Sequence, residues 1–95
     1  MPQPIIYADF NNADAEGRLC LNCVGTMNDL ARQQIELRKG LSLLLYSDDL
    51  DEEGQSDQLL VEGVVSYSDE EHIWVAAIDW GAIRHASDRA AEVGR

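Results

Sequence analysis

The stretch Leu59-Leu-Val-Glu-Gly-Val-Val-Ser-Tyr67, followed by Ser68-Asp-Glu-Glu71 and then Ile73-Trp-Val-Ala-Ala-Ile-Asp79, decides the fold. Apolar side chains alternate along both long runs, and β-branched and aromatic residues dominate them. That is the pattern of strands half buried on a pleated sheet. Ser68–Glu71 is short enough to be the hairpin loop between them. In the first run Leu59, Val61, Val65 and Tyr67 fall on one face, with Gly63 as a bulge or a point of close packing. In the second, Ile73, Val75 and Ala77 share a face. Upstream, Leu41–Tyr46 alternates in the same way, with Leu41, Leu43 and Leu45 together. The three segments are expected to form an antiparallel meander running up, down and up.

Working outward, Arg38-Lys-Gly40 is a turn in which Gly40 supplies a positive φ. Ile5–Phe10 reads as a first strand ended by Asn11-Asn12, and Arg18–Val24 as a second strand broken by Gly25. Thr26-Met-Asn-Asp29 has the spacing of a capping box, which places a short helix over Thr26–Gln34 with Thr26 as its N-cap. Asp79 can cap a helical turn through Trp80–Ala86. Residues 1–4 and 88–95 are expected to fray.

These elements predict a single-domain, mainly β fold. It is a small, partly open barrel of about five antiparallel strands, with one short helix and a C-terminal helical turn. Ninety-five residues leave no room for a second core. A hydrophobic fraction of 45% is too high for a chain that stays disordered despite its charge. The longest apolar runs fall far short of the roughly 20 residues that a membrane span needs, and no signal peptide is visible, so a cytoplasmic location is expected.

The order of a glycine turn, an apolar strand, a long polar loop and a hairpin ending in one helical turn resembles SH3-like small barrels. Leu37-Arg-Lys-Gly-Leu41 and Ile78-Asp-Trp80 carry that resemblance. The chain is also similar to a group of uncharacterised short acidic bacterial proteins, through Tyr7-Ala-Asp-Phe-Asn-Asn12, Leu50-Asp51 and Trp80-Gly-Ala-Ile-Arg-His-Ala86. The resemblance implies a fold and no activity, since small barrels host unrelated functions.

Charge narrows the partners. The net charge is −11, and between Gly40 and Ile83 the chain has eleven acids and no lysine or arginine. Outside that stretch acids and bases cancel. Such a field has the wrong sign for direct contact with nucleic acid or an anionic membrane. It suits a partner protein with a basic or mixed surface. An acidic mimic of nucleic acid, lodged in a basic protein groove, has the same charge logic.

Two constellations are candidates for a site. In Asp49-Leu-Asp51-Glu-Glu53-Gly-Gln55-Ser-Asp57 alternate carboxylates approximate the spacing of a calcium loop. Asp49, Asp51 and Glu53 would ligate by side chain, Gln55 by its carbonyl, and Asp57 directly or through water. Leu60 stands where an EF-hand has its bidentate glutamate, and the flanks read as strands, so the alternatives are a hairpin-type cation loop and a solvated acidic loop. The second constellation is the outer face of the meander. If Leu43, Val61 and Val75 point inward, Leu44, Tyr46, Leu60, Val64, Trp74 and Ile78 point outward. Six apolar residues on an outer face are either covered by a further layer or form a surface for a protein partner or self-association. Large rings at an acidic rim are common interface anchors.

Catalysis has little support. No nucleophile elbow or phosphate-cradling loop is present, and His85, Ser87 and Asp88 are neighbours only in sequence. Cys20 and Cys23 form a C-x-x-C, but His72 and His85 lie too far off to complete a zinc signature. Leu19–Val24 reads as a strand instead of the strand-to-helix turn that a redox pair uses, which favours ordinary packing cysteines. No cofactor is expected apart from calcium at the acidic loop.

Overall fold

In the computed structural model the backbone is described for residues 3–50 and 56–85, and the side chains for residues 3–48 and 58–85. The fold is mainly β, with six strands in one sheet and one α-helix among the described residues. Its centre is the expected meander: β3 (Ser42–Leu50), β4 (Ser56–Ser68) and β5 (Ile73–Ile78). β3 and β4 are antiparallel, with Leu43 opposite Gly63 and Leu45 opposite Val61. β4 and β5 are antiparallel, with Val65 opposite Ala76 and Tyr67 opposite Trp74. Residues directly opposite share a face, so this register assembles Leu43, Leu45, Val61, Val65 and Ala76 into the core. Burying one such aliphatic side chain stabilises the fold by about 1.5–3 kcal/mol. Gly63 lies in regular register at the centre of that face. A Cβ there would stand 2.9 Å from Leu45 Cδ1, so close packing and not a bulge requires the glycine.

The meander differs from its sequence reading in two ways. The ladder continues through Asp48–Gln58 and Leu50–Ser56 pairs, so strand pairing extends into the acidic stretch that the sequence reads as a loop. A two-stranded ribbon needs no buried face to satisfy its backbone, and polar residues therefore extend both strands without alternation. The phase of β5 is also opposite to expectation. Trp74, Ala76 and Ile78 face the main core, while Ile73, Val75 and Ala77 lie on the other side, where Val75 is nonetheless fully buried as expected. Ile73-Trp-Val-Ala-Ala-Ile78 is apolar on both faces, so alternation alone does not fix which face is buried.

The strand order is β1-β3-β4-β5-β2, where β1 is Ile5–Tyr7 and β2 is Leu19–Cys20. β6 (Arg84–His85) pairs with Leu59 and Leu60 of β4, on the side where β5 pairs farther along. It continues β5 after one 3-10 turn, Trp80–Ala82, whose N-cap Asp79 accepts from the Gly81 amide at 2.9 Å as expected; the helical turn expected through Trp80–Ala86 ends at Ala82, because Arg84 and His85 pair with β4 instead. Contrary to an all-antiparallel sheet, β1 runs parallel to β3, with Ile6 beside Leu45. The sheet is not closed.

Helix α1 (Val24–Arg32) stands at the open edge beside β1. Its N-cap is Cys23, which makes no side-chain capping bond, and not Thr26. Thr26, Asp29 and Gln33 instead form a stripe at helical spacing that bonds the free edge of β1. The Tyr7 amide donates to Asp29 Oδ2 at 2.8 Å, Thr26 Oγ1 donates to the Tyr7 carbonyl at 2.7 Å, and Gln33 Nε2 donates to the Ile5 carbonyl at 2.9 Å. Three side chains thus replace a neighbouring strand, which is one way to blunt a sheet edge. Gly25 lets the helix approach, since a Cβ there would lie 2.6 Å from the Tyr7 ring. The helix ends with Gln34 in the left-handed region, at φ 57. Ile35 N–H bonds the Leu30 carbonyl and Gln34 N–H the Ala31 carbonyl, a Schellman arrangement that brings Leu30 and Ile35 to the core.

Candidate binding face

The face of the sheet opposite the core is built by register. Tyr7 lies beside Tyr46, Tyr46 opposite Leu60, and Leu60 opposite Arg84. One pleat along, Ile5 lies beside Leu44, which is opposite Glu62. One further, Ser42 is opposite Val64 and Val64 opposite Ala77. Leu44 and Leu60 are buried as the floor of this face, whereas Ile5 is 51% and Val64 49% exposed. The Tyr7 and Tyr46 rings meet edge to face with centroids 5.5 Å apart. The Tyr46 hydroxyl lies 3.4 Å from Asp29 Oδ2. Burial, and then the Asp29 charge, push the Tyr46 phenol above its ordinary range, so it stays protonated as a donor.

Of the six residues expected on this outer face, Leu44, Tyr46, Leu60 and Val64 are together on it. Trp74 and Ile78 are not: both pack against the core, and Trp74 meets Tyr67 edge to face at 5.1 Å. The reversed phase of β5 removes them. Ile5, Tyr7, Glu62 and Arg84 belong to the face and were not read from the sequence. Glu62 follows from the same alternation as Leu60 and Val64, whereas the signal for Ile5, Tyr7 and Arg84 lay in pairing between distant strands, which no local pattern carries.

An open groove of about 440 Å³ crosses this face, with Ser42, Val64 and Ala77 along it and Glu62, Asp79, Ala82 and Arg84 around it. None of the ion pairs among the described residues lies here; they join Arg18 to Asp14 and Glu16, and Arg32 to Asp29.

Of the acidic loop, Asp51, Glu53 and Gln55 lie outside the described residues, as do the side chains of Asp49 and Asp57. The backbone of β3 and β4 sets Asp49 directly opposite Asp57. Among the described residues no group of three or more histidines, cysteines or acids is placed to hold a metal ion.

Both cysteines are free thiols. They do not share a strand as expected: Cys20 ends β2 and Cys23 begins the helix. Burial, reinforced by Glu71 and Asp14, pushes the Cys20 thiol up and away from the reactive thiolate. Cys23 Sγ sits 2.9 Å from Thr26 Oγ1 and joins the edge-capping stripe. His72 occupies the left-handed position of the β4–β5 turn, at φ 58, and His85 lies on β6. Among the described residues no helix is long and apolar enough to cross a membrane.

No protein-family model, no curated protein and no solved structure matches the chain.

Proposed function

We propose that this chain is a small protein-binding module acting through the outer face of its sheet. The observation that carries this reading is the half-exposed pair Ile5 and Val64, set over the buried floor of Leu44 and Leu60 beside the Tyr7–Tyr46 ring pair. Isolated apolar residues on a surface are ordinary, but a floor, two aliphatic side chains and a ring pair brought together by one register make a contiguous patch. The acids around it would steer a basic or mixed partner surface. The test is Val64→Arg, which places a charge at the middle of the patch without disturbing the core. Binding of partners, or self-association measured by sedimentation, should fall at least tenfold while the melting temperature stays within a degree or two. Undiminished binding would remove this face as the site.

A second reading, calcium binding by the hairpin end, is favoured by one observation. Like charges directly opposite on paired strands destabilise the pair, and Asp49 faces Asp57 in that way. A bound cation would relieve the repulsion. Millimolar calcium should then raise the melting temperature relative to chelator and shift the amides of Asp48 and Gln58. No change in either measurement would dismiss it.

A further inference from the structure

The groove over Val64 allows the partner's chemistry to be named. We propose that it docks a short segment carrying a lysine or arginine next to an aliphatic side chain; this rests on the protein-binding reading above. The floor comes from Val64 and Ala77, directly opposite each other on β4 and β5, and it suits one aliphatic side chain. The rim is acidic. Glu62, two residues before Val64 on the same face, makes no hydrogen bond or ion pair among the described residues. Asp79 uses Oδ1 for the Gly81 amide, which leaves its second oxygen. Arg84 is the lone base of the lining, lies opposite Leu60, and makes no ion pair among the described residues. Two carboxylates against one guanidinium, in a chain of net charge −11, favour a cationic guest and repel an acidic one. A bare calcium ion is a poor fit, because it requires six to eight oxygens and this rim supplies two carboxylates. An alkyl ammonium or guanidinium beside an aliphatic group uses both the rim and the floor.

The test is a titration of the isotope-labelled full chain with a blocked peptide, acetyl-Leu-Lys-Val-Lys-Leu-amide, followed by amide shifts. Its companions replace both lysines by glutamate, or all three aliphatic residues by serine. The lysine–aliphatic peptide should move the amides of Ser42, Glu62, Val64, Ala77 and Asp79, and both companions should bind more weakly. Glu62→Gln and Asp79→Asn should each weaken binding by about 2–5-fold, the scale of an exposed ion pair. Asn also caps, so Asp79→Asn keeps the 3-10 turn, and an unchanged melting temperature verifies this. Shifts confined to Asp48 or to the Asp69–Glu71 turn, or affinity indifferent to both variants, would show only unspecific charge attraction and overturn the proposal. If Val64→Arg abolishes association with a natural partner while Glu62→Gln and Asp79→Asn leave it intact, the face binds but the partner chemistry is wrong. If Val64→Arg leaves that association intact, the protein-binding reading itself fails.

Discussion

Asp14 shows how a single residue can hold a loop that has almost no apolar content. Its carboxylate accepts from the Arg18 amide and Arg18 Nε, both at 2.8 Å, and from the Glu16 amide at 3.0 Å. Burial pushes the Asp14 carboxyl up, but these amides and the Arg18 guanidinium outweigh it and hold the group below its usual range. A depressed carboxyl contributes stability that is complete above the unfolded value of about 3.9 and is lost as pH falls through the lower folded value. Stability should therefore decline on acidification below about pH 4, and Asp14→Asn should flatten that part of the curve in urea titrations. At neutral pH the same substitution should cost roughly 1.5–3 kcal/mol, as expected for hydrogen bonds to a charged group. Gln34 offers the reverse case. It holds a left-handed conformation that costs a side-chain-bearing residue about 1 kcal/mol or more. Gln34→Gly should raise stability by roughly 0.5–1 kcal/mol in denaturant unfolding, whereas Gln34→Val should lower it. Gly40, with φ +87 and open space around it, was legible in the sequence for the same reason. Gln34 was not, because no residue type there announces the turn.

At the scale of elements, the core face of β3 and β4 was read correctly and that of β5 was not. Leu43, Leu45, Val61 and Val65 lie in the core as their period-two spacing led us to expect, although Leu44, Tyr46, Leu60 and Val64 make the other face apolar as well. β5 is apolar on both sides, so its phase depends on pairing with β4, and the sequence-based outer face wrongly included Trp74 and Ile78. The helix was placed within two residues of its observed bounds, yet Thr26 and Asp29 were given the wrong task. A capping box and an edge-capping stripe use the same side chains at the same spacing, and only the position of β1 separates them. The stripe has a measurable consequence. Asp29→Ala would leave the Tyr7 amide and Tyr46 hydroxyl without their acceptor and should destabilise the fold by about 1–3 kcal/mol. It would also uncover the edge of β1, so concentration-dependent association should appear in sedimentation of the variant and be absent for Gln33→Ala, which leaves both Tyr7 bonds in place.

Over the whole molecule, the acids mark where the chain turns. The β3–β4 hairpin end carries Asp48, Asp49 and Asp57, and the β4–β5 turn at the opposite end carries Asp69, Glu70 and Glu71. A net charge of −11 on one small domain repels itself, and salt screens exposed charges over about 10 Å at 0.1 M. The melting temperature should accordingly rise between 0.02 and 0.5 M sodium chloride. A flat dependence would mean that the two ends are too far apart to interact. The mainly β class and the polarity of the charge were legible because each depends on composition or local period. The candidate face was only half legible, because Ile5 and Tyr7 reach it by parallel pairing with β3, nearly forty residues away in sequence.

The stripe on the helix also bears on how amides at the sheet edge exchange with solvent. An edge strand ordinarily leaves alternate amides open to water, and they lose deuterium protection first. In β1 the outward amide of Tyr7 is held by a buried carboxylate instead, at 2.8 Å. This hydrogen should therefore exchange with the slow set from β4, although it stands at the rim. Its release would report the moment when α1 detaches from the sheet, which makes the Tyr7 amide a built-in clock for opening of this seam.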